Sequence, residues 1–245
     1  MKSKPHKKGI ILAGGKGTRL HPLTLEIPKP LITVHKKPLL NYGIELFFKH
    51  DIDDLKVIIR EEDREVYATW QGLYKNLLTQ GKVEFLEESK PMGTLGYIAH
   101  RLKEWVDKDP FFVTNGDDLK DLDLSDMHAL HERAGVHATM GVVKVQNPEE
   151  YGSLLLDGHL IRGFFEKQAN PPSNLVSAGI YELSPEIFSF LEDSIWEGKE
   201  FLMFEKDLFP KMAEEGKLQG FLFNGKFFDC GTFERWEKAI SEWNK

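Results

Sequence analysis

Short apolar runs that alternate with helical patterns constrain the fold of this chain more than any other feature. The first run, "GIILAG" at Gly9–Gly14, is rich in isoleucine and is stopped by glycines, which is typical of a buried strand. Similar runs predict four more strands, at Leu55–Arg60, Lys82–Glu88, Phe111–Asp117 and Ala138–Val145. Apolar residues at helical spacing predict helices between them, at Pro38–His50 and Thr94–Trp105. This alternation favours a mainly parallel sheet covered by helices on both faces.

The pattern changes after Tyr151, where shorter, more alternating strands indicate antiparallel additions to the sheet. The remaining predicted elements are helices near Pro185–Glu192 and Glu200–Glu215, strands at Leu218–Phe223 and Lys226–Asp229, and a final helix from about Thr232 to Trp243. Thr232 is a candidate cap for that helix. We therefore predict an α/β fold with a Rossmann-like, doubly wound mixed sheet. A single domain is expected over residues 9–245, after a flexible tail over residues 1–8.

Composition and charge exclude several classes of protein. The net charge of −7 argues against general binding of nucleic acid, which depends on many contacts from Lys and Arg to phosphate. No apolar run reaches the roughly 18 residues that a membrane span needs, and the basic start lacks the apolar segment of a signal peptide. The one cysteine, Cys230, fits a reducing compartment. A cytoplasmic protein with no nucleic-acid or membrane partner is expected.

The stretch "ILAGGKGTRLHPLTLEIPKP", Ile11–Pro30, follows the first predicted strand and combines glycines with cations. Glycines let backbone N–H groups approach phosphate oxygens closely, and Arg19 can bind phosphate with two donors. The spacing matches neither the Walker A loop nor the dinucleotide fingerprint. From the residues alone, a phosphate cradle and a simple glycine-rich turn both stay open.

Two other motifs follow predicted strands: "NGDD" at Asn115–Asp118 and "FFDCGT" at Phe227–Thr232. Ligands of doubly wound sheets bind beyond the carboxyl ends of the strands, and Mg²⁺ prefers one or two carboxylates with phosphate oxygens. The alternative interpretations are a turn residue for Asp117 and a cap for Asp229. Adjacent residues at a strand end point in opposite directions, so Asp117 and Asp118 are not expected to hold the same ion together.

The complete set of motifs resembles the sugar-1-phosphate nucleotidyltransferases. The longest is Gly14-Gly15-x-Gly17-Thr18-Arg19-Leu20 with Pro28-Lys29-Pro30. The others are "KPLL", "KPMGTLG", "NGD", "YG", "FEK", "SAGIY", "FEKDLFPKMAEEGKL" and "DCGT", in this order. The resemblance covers nearly the whole chain and looks closest to short mannose or heptose 1-phosphate guanylyltransferases.

This resemblance implies that a nucleoside triphosphate and a sugar 1-phosphate give a nucleoside-diphosphate sugar and pyrophosphate, by Mg²⁺-assisted in-line attack at the α-phosphorus. Arg19 and Lys29 are then the catalytic residues, and Asp117 and Asp229 hold Mg²⁺. The implied nucleotide-binding residues are Leu12, Ala13, Gly14, Gly15, Gly17, Thr18, Glu88 and Gly93. The implied sugar-phosphate residues are Gly152, Glu166, Lys167 and Gly179. Ser177 stands where the family usually has Asn, which puts one sugar contact in question.

The substrates are less constrained than the reaction. "MGTLG" resembles the guanylyltransferase loop, and a carboxylate such as Glu88 suits the N1–H and amino group of guanine, so GTP with heptose or mannose 1-phosphate is preferred. Glu88 could equally be a solvated strand end. The alternatives are a glucose-1-phosphate thymidylyl- or uridylyltransferase, a cytidylyltransferase for a phosphorylated alcohol, and a catalytically silent nucleotide-sugar-binding homologue. A homo-oligomer is possible because relatives usually form one.

Overall fold

The computed structural model describes residues 7–194 and 198–243. In chain order the strands are β1 Lys8–Leu12, β2 Thr33–Val34, β3 Lys37–Pro38, β4 Asp54–Arg60, β5 Lys82–Glu88, β6 Phe111–Asn115, β7 Asp118–Lys120, β8 Ala138–Lys144, β9 Gly152–Asp157, β10 Leu160–Glu166, β11 Leu175–Leu183, β12 Leu218–Leu222 and β13 Phe227–Asp229. The α-helices are α1 Leu23–Glu26, α2 Leu39–Lys49, α3 Arg64–Leu73, α4 Lys75–Leu78, α5 Gly93–Arg101, α6 Lys103–Val106, α7 Leu124–Ala134, α8 Glu186–Ser194, α9 Phe209–Glu214 and α10 Phe233–Glu242.

The chain divides into two compact units. We call the first the N-unit; it consists of Lys7–Lys90, Val113–Leu122 and the segment that starts at Gly225. We call the second the C-unit; it contains Pro91–Phe112 and Asp123–Asn224. The single domain expected over residues 9–245 stays a prediction.

The N-unit is built on neighbouring strands in the order β5-β4-β1-β6. The β1–β4 and β4–β5 pairs are parallel, with Ile11 opposite Val57 and Val57 opposite Phe85. The apolar residues of β1 and β4 are almost fully buried, except Leu12 at the end of β1, which is half-buried; such burial is expected for parallel strands covered on both faces. This arrangement places the residues that follow β1, β4 and β5 at one edge of the sheet.

A smaller cluster closes the N-unit beyond β6. Strands β7 and β13 pair antiparallel, with Asp229 opposite Asp118. Helix α10 begins after Thr232, whose hydroxyl accepts the backbone N–H of Arg235, as the sequence predicts for a helix cap. The buried residues of this cluster are Val34, Leu39, Leu119, Cys230, Ala239 and Trp243. Burial of these side chains fixes the β13–α10 turn by the hydrophobic effect.

The C-unit carries strands in the order β11-β8-β12-β10-β9. The β8–β11, β10–β12 and β9–β10 pairs are antiparallel, and β8–β12 is parallel. An additional β9–β11 pair brings Ser153 opposite Val176. The antiparallel additions expected in the second half are therefore present, and the mixed sheet confirms the predicted fold class.

Three details of the predicted elements are corrected. Lys8 belongs to β1 and not to the predicted tail, because its strand pairs with β4 from Asp54 onward; residues 1–6 of that tail lie outside the described residues. The helix predicted over Thr94–Trp105 is interrupted at Leu102, which leaves helical geometry.

The helix predicted over Glu200–Glu215 is a π-helical turn at Phe204–Leu208 followed by α9. Two local causes explain this difference. Leu202 donates its backbone N–H to the carbonyl of Met92, and its carbonyl accepts the N–H of Leu95. The segment before the turn is therefore hydrogen-bonded to the start of α5 and cannot form helical hydrogen bonds with these groups. Pro210 lacks the N–H that a continuous helix requires. Within the described ranges, none of the helices has the length and apolar character to cross a bilayer.

Candidate active site

Lys29 lies at the centre of a charged cluster in the N-unit. Its ammonium donates a 2.7 Å hydrogen bond to Oδ2 of Asp117 and lies 3.6 Å from Oδ1 of Asp229. Only 7% of Lys29 is exposed, because the residue begins a short 3-10 turn at Lys29–Leu31 that the surrounding chain covers. The structure therefore brings together one predicted catalytic residue and both predicted metal ligands.

Local backbone geometry explains why the two aspartates meet. Gly116 donates its N–H to the carbonyl of Leu12 at 2.9 Å, which fixes the turn after β6 against the end of β1. A Cβ at Gly116 would lie 2.9 Å from Ile11, so only glycine fits there. The next residue is Asp117, and the one after it, Asp118, pairs with Asp229 in the β7–β13 ladder.

The charges of the cluster reinforce each other. Burial lowers the pKa of Lys29, but the charges of Asp117 and Asp229 outweigh that effect and hold the pKa above its usual value. Burial acts to raise the pKa of Asp117, but the Lys29 ammonium outweighs it and holds this pKa below the usual range. At neutral pH, Lys29 is therefore protonated and Asp117 is ionised.

Arg19 lies beside this cluster at the glycine-rich loop. A Cβ at Gly231 would lie 2.6 Å from Oδ1 of Asp229 and 2.7 Å from a terminal nitrogen of Arg19. Gly231 thus allows the guanidinium and the carboxylate to approach the same backbone. Gly17 has φ +60°, and a Cβ there would lie 3.0 Å from Thr24 and 3.2 Å from the Lys29 stem. The loop is therefore packed against the segment that carries Lys29.

The remaining loop residues differ in whether their polar groups are hydrogen-bonded within the protein or exposed to solvent. Both backbone groups of Ala13 are engaged: its N–H donates to Ile58 and its carbonyl accepts from the Tyr67 hydroxyl. Gly15 and Thr18 are exposed, and a Cβ at Gly15 would meet nothing within 4 Å. Gly15 and Thr18 thus have room for a ligand, whereas Ala13 lends rigidity.

Glu88 ends β5 close to this loop. A Cβ at Gly14 would lie 3.6 Å from Oε2 of Glu88, so the carboxylate faces the residues that follow β1. Parallel register explains the proximity, since Arg60 of β4 pairs with Glu88 of β5. The structure therefore places the Glu88 carboxylate near Gly14, and a base site at these residues stays a prediction.

Gly93 belongs to the C-unit and has a packing reason to be glycine. Its φ is +78°, and a Cβ there would lie 2.2 Å from the carbonyl oxygen of Leu202. This explains the glycine without any ligand, so its predicted contact with the base stays a prediction.

The C-unit brings together three of the four predicted sugar-phosphate residues. Gly152 of β9 pairs with Glu166 of β10, and a Cβ at Gly152 would lie 3.1 Å from Oε2 of Glu166. The Lys167 ammonium lies 3.1 Å from Oε1 of Glu166. Lys167 has φ +46°, and its N–H donates to the carbonyl of Tyr151 at 3.0 Å. A strained backbone therefore presents an exposed ammonium beside a carboxylate.

Gly179 and Ser177 lie in the irregular part of β11. The register with β8 shifts between Ser177 and Tyr181, and Gly179 has φ +63°. The Ser177 hydroxyl accepts the N–H of Gly179 at 3.3 Å and lies 3.3 Å from the Tyr181 hydroxyl. Ser177 thus stabilises the bulge locally.

The donor set of the cluster fits a divalent cation held mainly by substrate. Among the described residues, no group of three or more His, Cys, Asp or Glu side chains is arranged to hold a metal. Two carboxylates, Asp117 and Asp229, are nevertheless close to one ammonium. This is the number that Mg²⁺ takes from proteins when phosphate oxygens supply other ligands.

Sequence reasoning missed two cations in this region. Lys120 is almost fully buried; its ammonium donates to Asp118 and, at 2.9 Å, to the Thr114 hydroxyl. Asp118 therefore pairs with Lys120 while Asp117 faces Lys29. Arg235 contacts Asp229 at 2.9 Å. The signal for Arg235 is a basic residue in the first turn of a helix, where the macrodipole disfavours positive charge.

The profile of the Nucleotidyl transferase family matches residues 8–245, and the chain belongs to this family. Among curated relatives, it is 35% identical over 234 residues to the zebrafish (Danio rerio) mannose-1-phosphate guanylyltransferase catalytic subunit beta. It is 32% identical over 230 residues to a mannose-1-phosphate guanyltransferase of Saccharomyces cerevisiae. Each alignment covers 91% of this chain and 61% of the relative, so the chain spans about 61% of the length of these relatives.

Solved structures show the same fold. One is a Bacillus anthracis protein assigned as a glucose-1-phosphate thymidylyltransferase, with a TM-score of 0.85, 23% identity, and coverage of 96% of this chain and 94% of that chain. Another is UDP-glucose pyrophosphorylase with UDP-glucose, with a TM-score of 0.79, 23% identity, and coverage of 96% and 97%. These likenesses support the nucleotidyltransferase fold.

Proposed function

We propose that the chain catalyses transfer of a nucleotidyl group from a nucleoside triphosphate to a sugar 1-phosphate, releasing pyrophosphate. The observation that carries the proposal is the cluster of Lys29, Asp117 and Asp229 with Arg19 beside it. Family membership and the names of the relatives agree with this chemistry. Such a reaction needs positioning and charge stabilisation from the protein and no covalent intermediate on a side chain.

The roles follow from where each charge lies. A phosphate oxygen of the nucleotide competes with Asp117 for the Lys29 ammonium, which places positive charge at the α-phosphate as negative charge develops there. Arg19, exposed beside Gly231, is suited to hold the departing phosphates with two donors. In the reaction, an oxygen of the sugar phosphate bonds to the α-phosphorus, and the bond from that phosphorus to the pyrophosphate oxygen breaks.

Asp117 and Asp229 would hold the divalent cation, proposed to be Mg²⁺. When bound, such an ion neutralises charge on the phosphate oxygens. The protein contributes two carboxylates whose orientation is fixed by the turn after β6 and by β13. Lys29 keeps the two carboxylates near each other in the structure described here.

GTP is the proposed nucleotide. The Glu88 carboxylate faces the loop after β1, and a carboxylate accepts from the N1–H and the amino group of guanine. Both curated relatives carry guanylyl or guanyl transfer in their names.

Mannose or heptose 1-phosphate is the proposed acceptor, with Glu166, Gly152 and Gly179 at the sugar and Lys167 at its phosphate. A reducing compartment such as the cytoplasm is proposed from the lone cysteine.

A catalytically silent homologue is the alternative from another class. Loss of one charged residue from the cluster would mark such a protein, but Arg19, Lys29, Asp117, Lys167 and Asp229 are all present. The chain therefore keeps every charge that the reaction needs.

The test is pyrophosphate release by the purified protein with GTP, ATP, UTP and dTTP, each against mannose, heptose and glucose 1-phosphates. We expect release with GTP and mannose or heptose 1-phosphate, and none after addition of EDTA. Faster release with dTTP or UTP would contradict the choice of nucleotide. No release with any pair, alongside measurable nucleotide-sugar binding, would favour the silent homologue.

A further inference from the structure

Asp229 is held by two cations through different oxygens. Its Oδ2 forms an ion pair with Nη1 of Arg235 at 2.9 Å, whereas its Oδ1 lies 3.6 Å from the Lys29 ammonium. The second distance is beyond a hydrogen bond. Lys29 instead makes its short contact with Asp117. The oxygen of Asp229 that faces the cluster is therefore the one that Arg235 leaves available.

Arg235 is itself fixed by the helix cap. Thr232 caps α10 by accepting the backbone N–H of Arg235 at 3.3 Å. The same hydroxyl oxygen accepts from Nε of the Arg235 side chain at 3.4 Å. The side chain is only 18% exposed. One cap thus sets both the start of the helix and the direction of the guanidinium toward Asp229.

Helix energetics alone would not place an arginine here. Arg235 lies three residues after the cap, where the partial positive charge of the helix N-terminus disfavours cations. The residue before it, Glu234, is acidic, as this part of a helix favours. The unfavourable position is explained by the contact with Asp229.

We propose that Arg235 is a positioning residue, which fixes the Asp229 carboxylate so that Oδ1 is presented to the divalent cation. This inference rests on the proposed function. Without Arg235, the carboxylate is free to rotate toward Lys29 and form a full ion pair, which would compete with the cation. Removal of a residue that orients a metal ligand typically weakens metal binding by about 10- to 100-fold.

The experiment measures the coupling between Mg²⁺ binding and nucleotide binding, with no sugar phosphate present. Calorimetry measures the Kd of GTP with excess Mg²⁺ and with EDTA. If another of the four triphosphates binds more tightly than GTP, that triphosphate is used instead. We expect Arg235→Met to weaken binding by about 10- to 100-fold with Mg²⁺ and to leave the Kd in EDTA unchanged. Arg235→Lys should recover only part of this loss, because the lysine ammonium keeps the positive charge but lacks the planar, two-donor geometry of the guanidinium.

Arg162→Met is the matched control. Arg162 pairs with Asp157 at 3.2 Å, and both side chains are at least half exposed, so its removal should change neither Kd. Thermal unfolding of each variant checks the fold; if Arg235→Met does not fold, Arg235→Lys and Arg235→Gln carry the comparison.

The contradicting outcomes are distinct. An unchanged Mg²⁺-dependent Kd in a folded Arg235 variant would overturn the positioning role and leave the proposed function intact. Equal weakening with Mg²⁺ and with EDTA would show that Arg235 binds the nucleotide directly, which also overturns it. Wild-type protein that binds no triphosphate under either condition would overturn the proposed function together with this inference.

Discussion

The Lys29 ammonium donates a 2.7 Å hydrogen bond to Oδ2 of Asp117, a residue 88 positions later in the sequence. The contact joins the turn after the glycine-rich loop to the turn after β6. Asp229 lies near the same ammonium, so removal of the lysine would leave Asp117 without its hydrogen-bonded cation, whereas Asp229 would keep Arg235. The cluster therefore serves both the fold and the proposed chemistry.

Lys29→Met should lower kcat of the proposed reaction by about 100- to 1,000-fold, the usual effect of removing one donor at developing charge. Steady-state kinetics of pyrophosphate release would measure it. Lys103→Met is the control, because Lys103 pairs with Glu192 on the surface and both are about half exposed. A kcat of Lys29→Met close to that of the control would exclude Lys29 from catalysis.

Asp229→Asn should raise the concentration of Mg²⁺ needed for half-maximal activity, because an amide oxygen is a weaker ligand than a carboxylate. A Mg²⁺ titration at saturating substrates measures the change. Asp157→Asn, at an exposed ion pair, should behave as wild type. If the Mg²⁺ dependence of Asp229→Asn is unchanged, Asp229 has only a structural role before α10.

Gly231→Ala should weaken triphosphate binding, because the added Cβ would lie 2.6 Å from Asp229 and 2.7 Å from Arg19. One of the two side chains must move. Gly72→Ala is the matched control: it lies in α3, a Cβ there meets nothing within 4 Å, and alanine favours a helix by up to about 1 kcal/mol. Equal Kd values for the two variants would show that the spacing around Gly231 is unimportant.

Cys230 should not react with thiol reagents in the native protein. Burial raises its pKa to about 12, so almost no thiolate exists near neutral pH, and the side chain is fully buried. Ellman's reagent should therefore modify about one thiol per chain in denaturant and none before unfolding. Rapid modification of the folded protein would contradict the packing role of Cys230.

The buried pair of His128 and Glu182 should make stability depend on pH. Burial lowers the pKa of His128, but its hydrogen bond with Glu182 and the charge of that carboxyl outweigh this effect and raise it. A raised folded pKa means that the protonated imidazole stabilises the fold below its unfolded pKa, near 6.5, and that this contribution is lost as pH rises through the folded pKa.

The variant that tests this pair is His128→Gln. The difference in free energy of unfolding between wild type and this variant should shrink as pH rises above about 6.5. Urea denaturation at several pH values measures it, with His159→Gln, at an exposed position, as control. A difference that is constant or grows with pH would mean that His128 is neutral in the fold.

Much of the N-unit could be predicted because its main strands are short runs with apolar residues, and glycine-containing turns follow β1 and β6. Lys82–Glu88 is a strand with the predicted bounds, and Thr232 caps the last helix as expected. Helix α3 was not predicted, because its buried face has only Tyr67 and Trp70, which are too few to show a helical period. Leu102 interrupts its helix through backbone geometry that periodicity does not report.

The site was predictable where a residue type and its position relative to a strand both point to one chemistry. Asp117 follows β6 and Asp229 ends β13, so their meeting could be anticipated. For Arg235 the sequence shows only a basic residue in the first turn of a helix, and its contact with Asp229 depends on the direction that the Thr232 cap gives to the side chain. The packing reason for Gly93 was equally hidden, since Leu202 lies far away in the sequence.

The most direct test of the central claim follows oxygen-18 placed in the three non-bridging phosphate oxygens of mannose or heptose 1-phosphate. The purified protein is incubated with this compound, GTP and Mg²⁺, and both products are analysed by mass spectrometry. Attack of the sugar phosphate on the α-phosphorus predicts that all the label stays in the nucleoside-diphosphate sugar and that the pyrophosphate carries none. Label in the pyrophosphate, or its loss from the nucleotide sugar, would contradict this account.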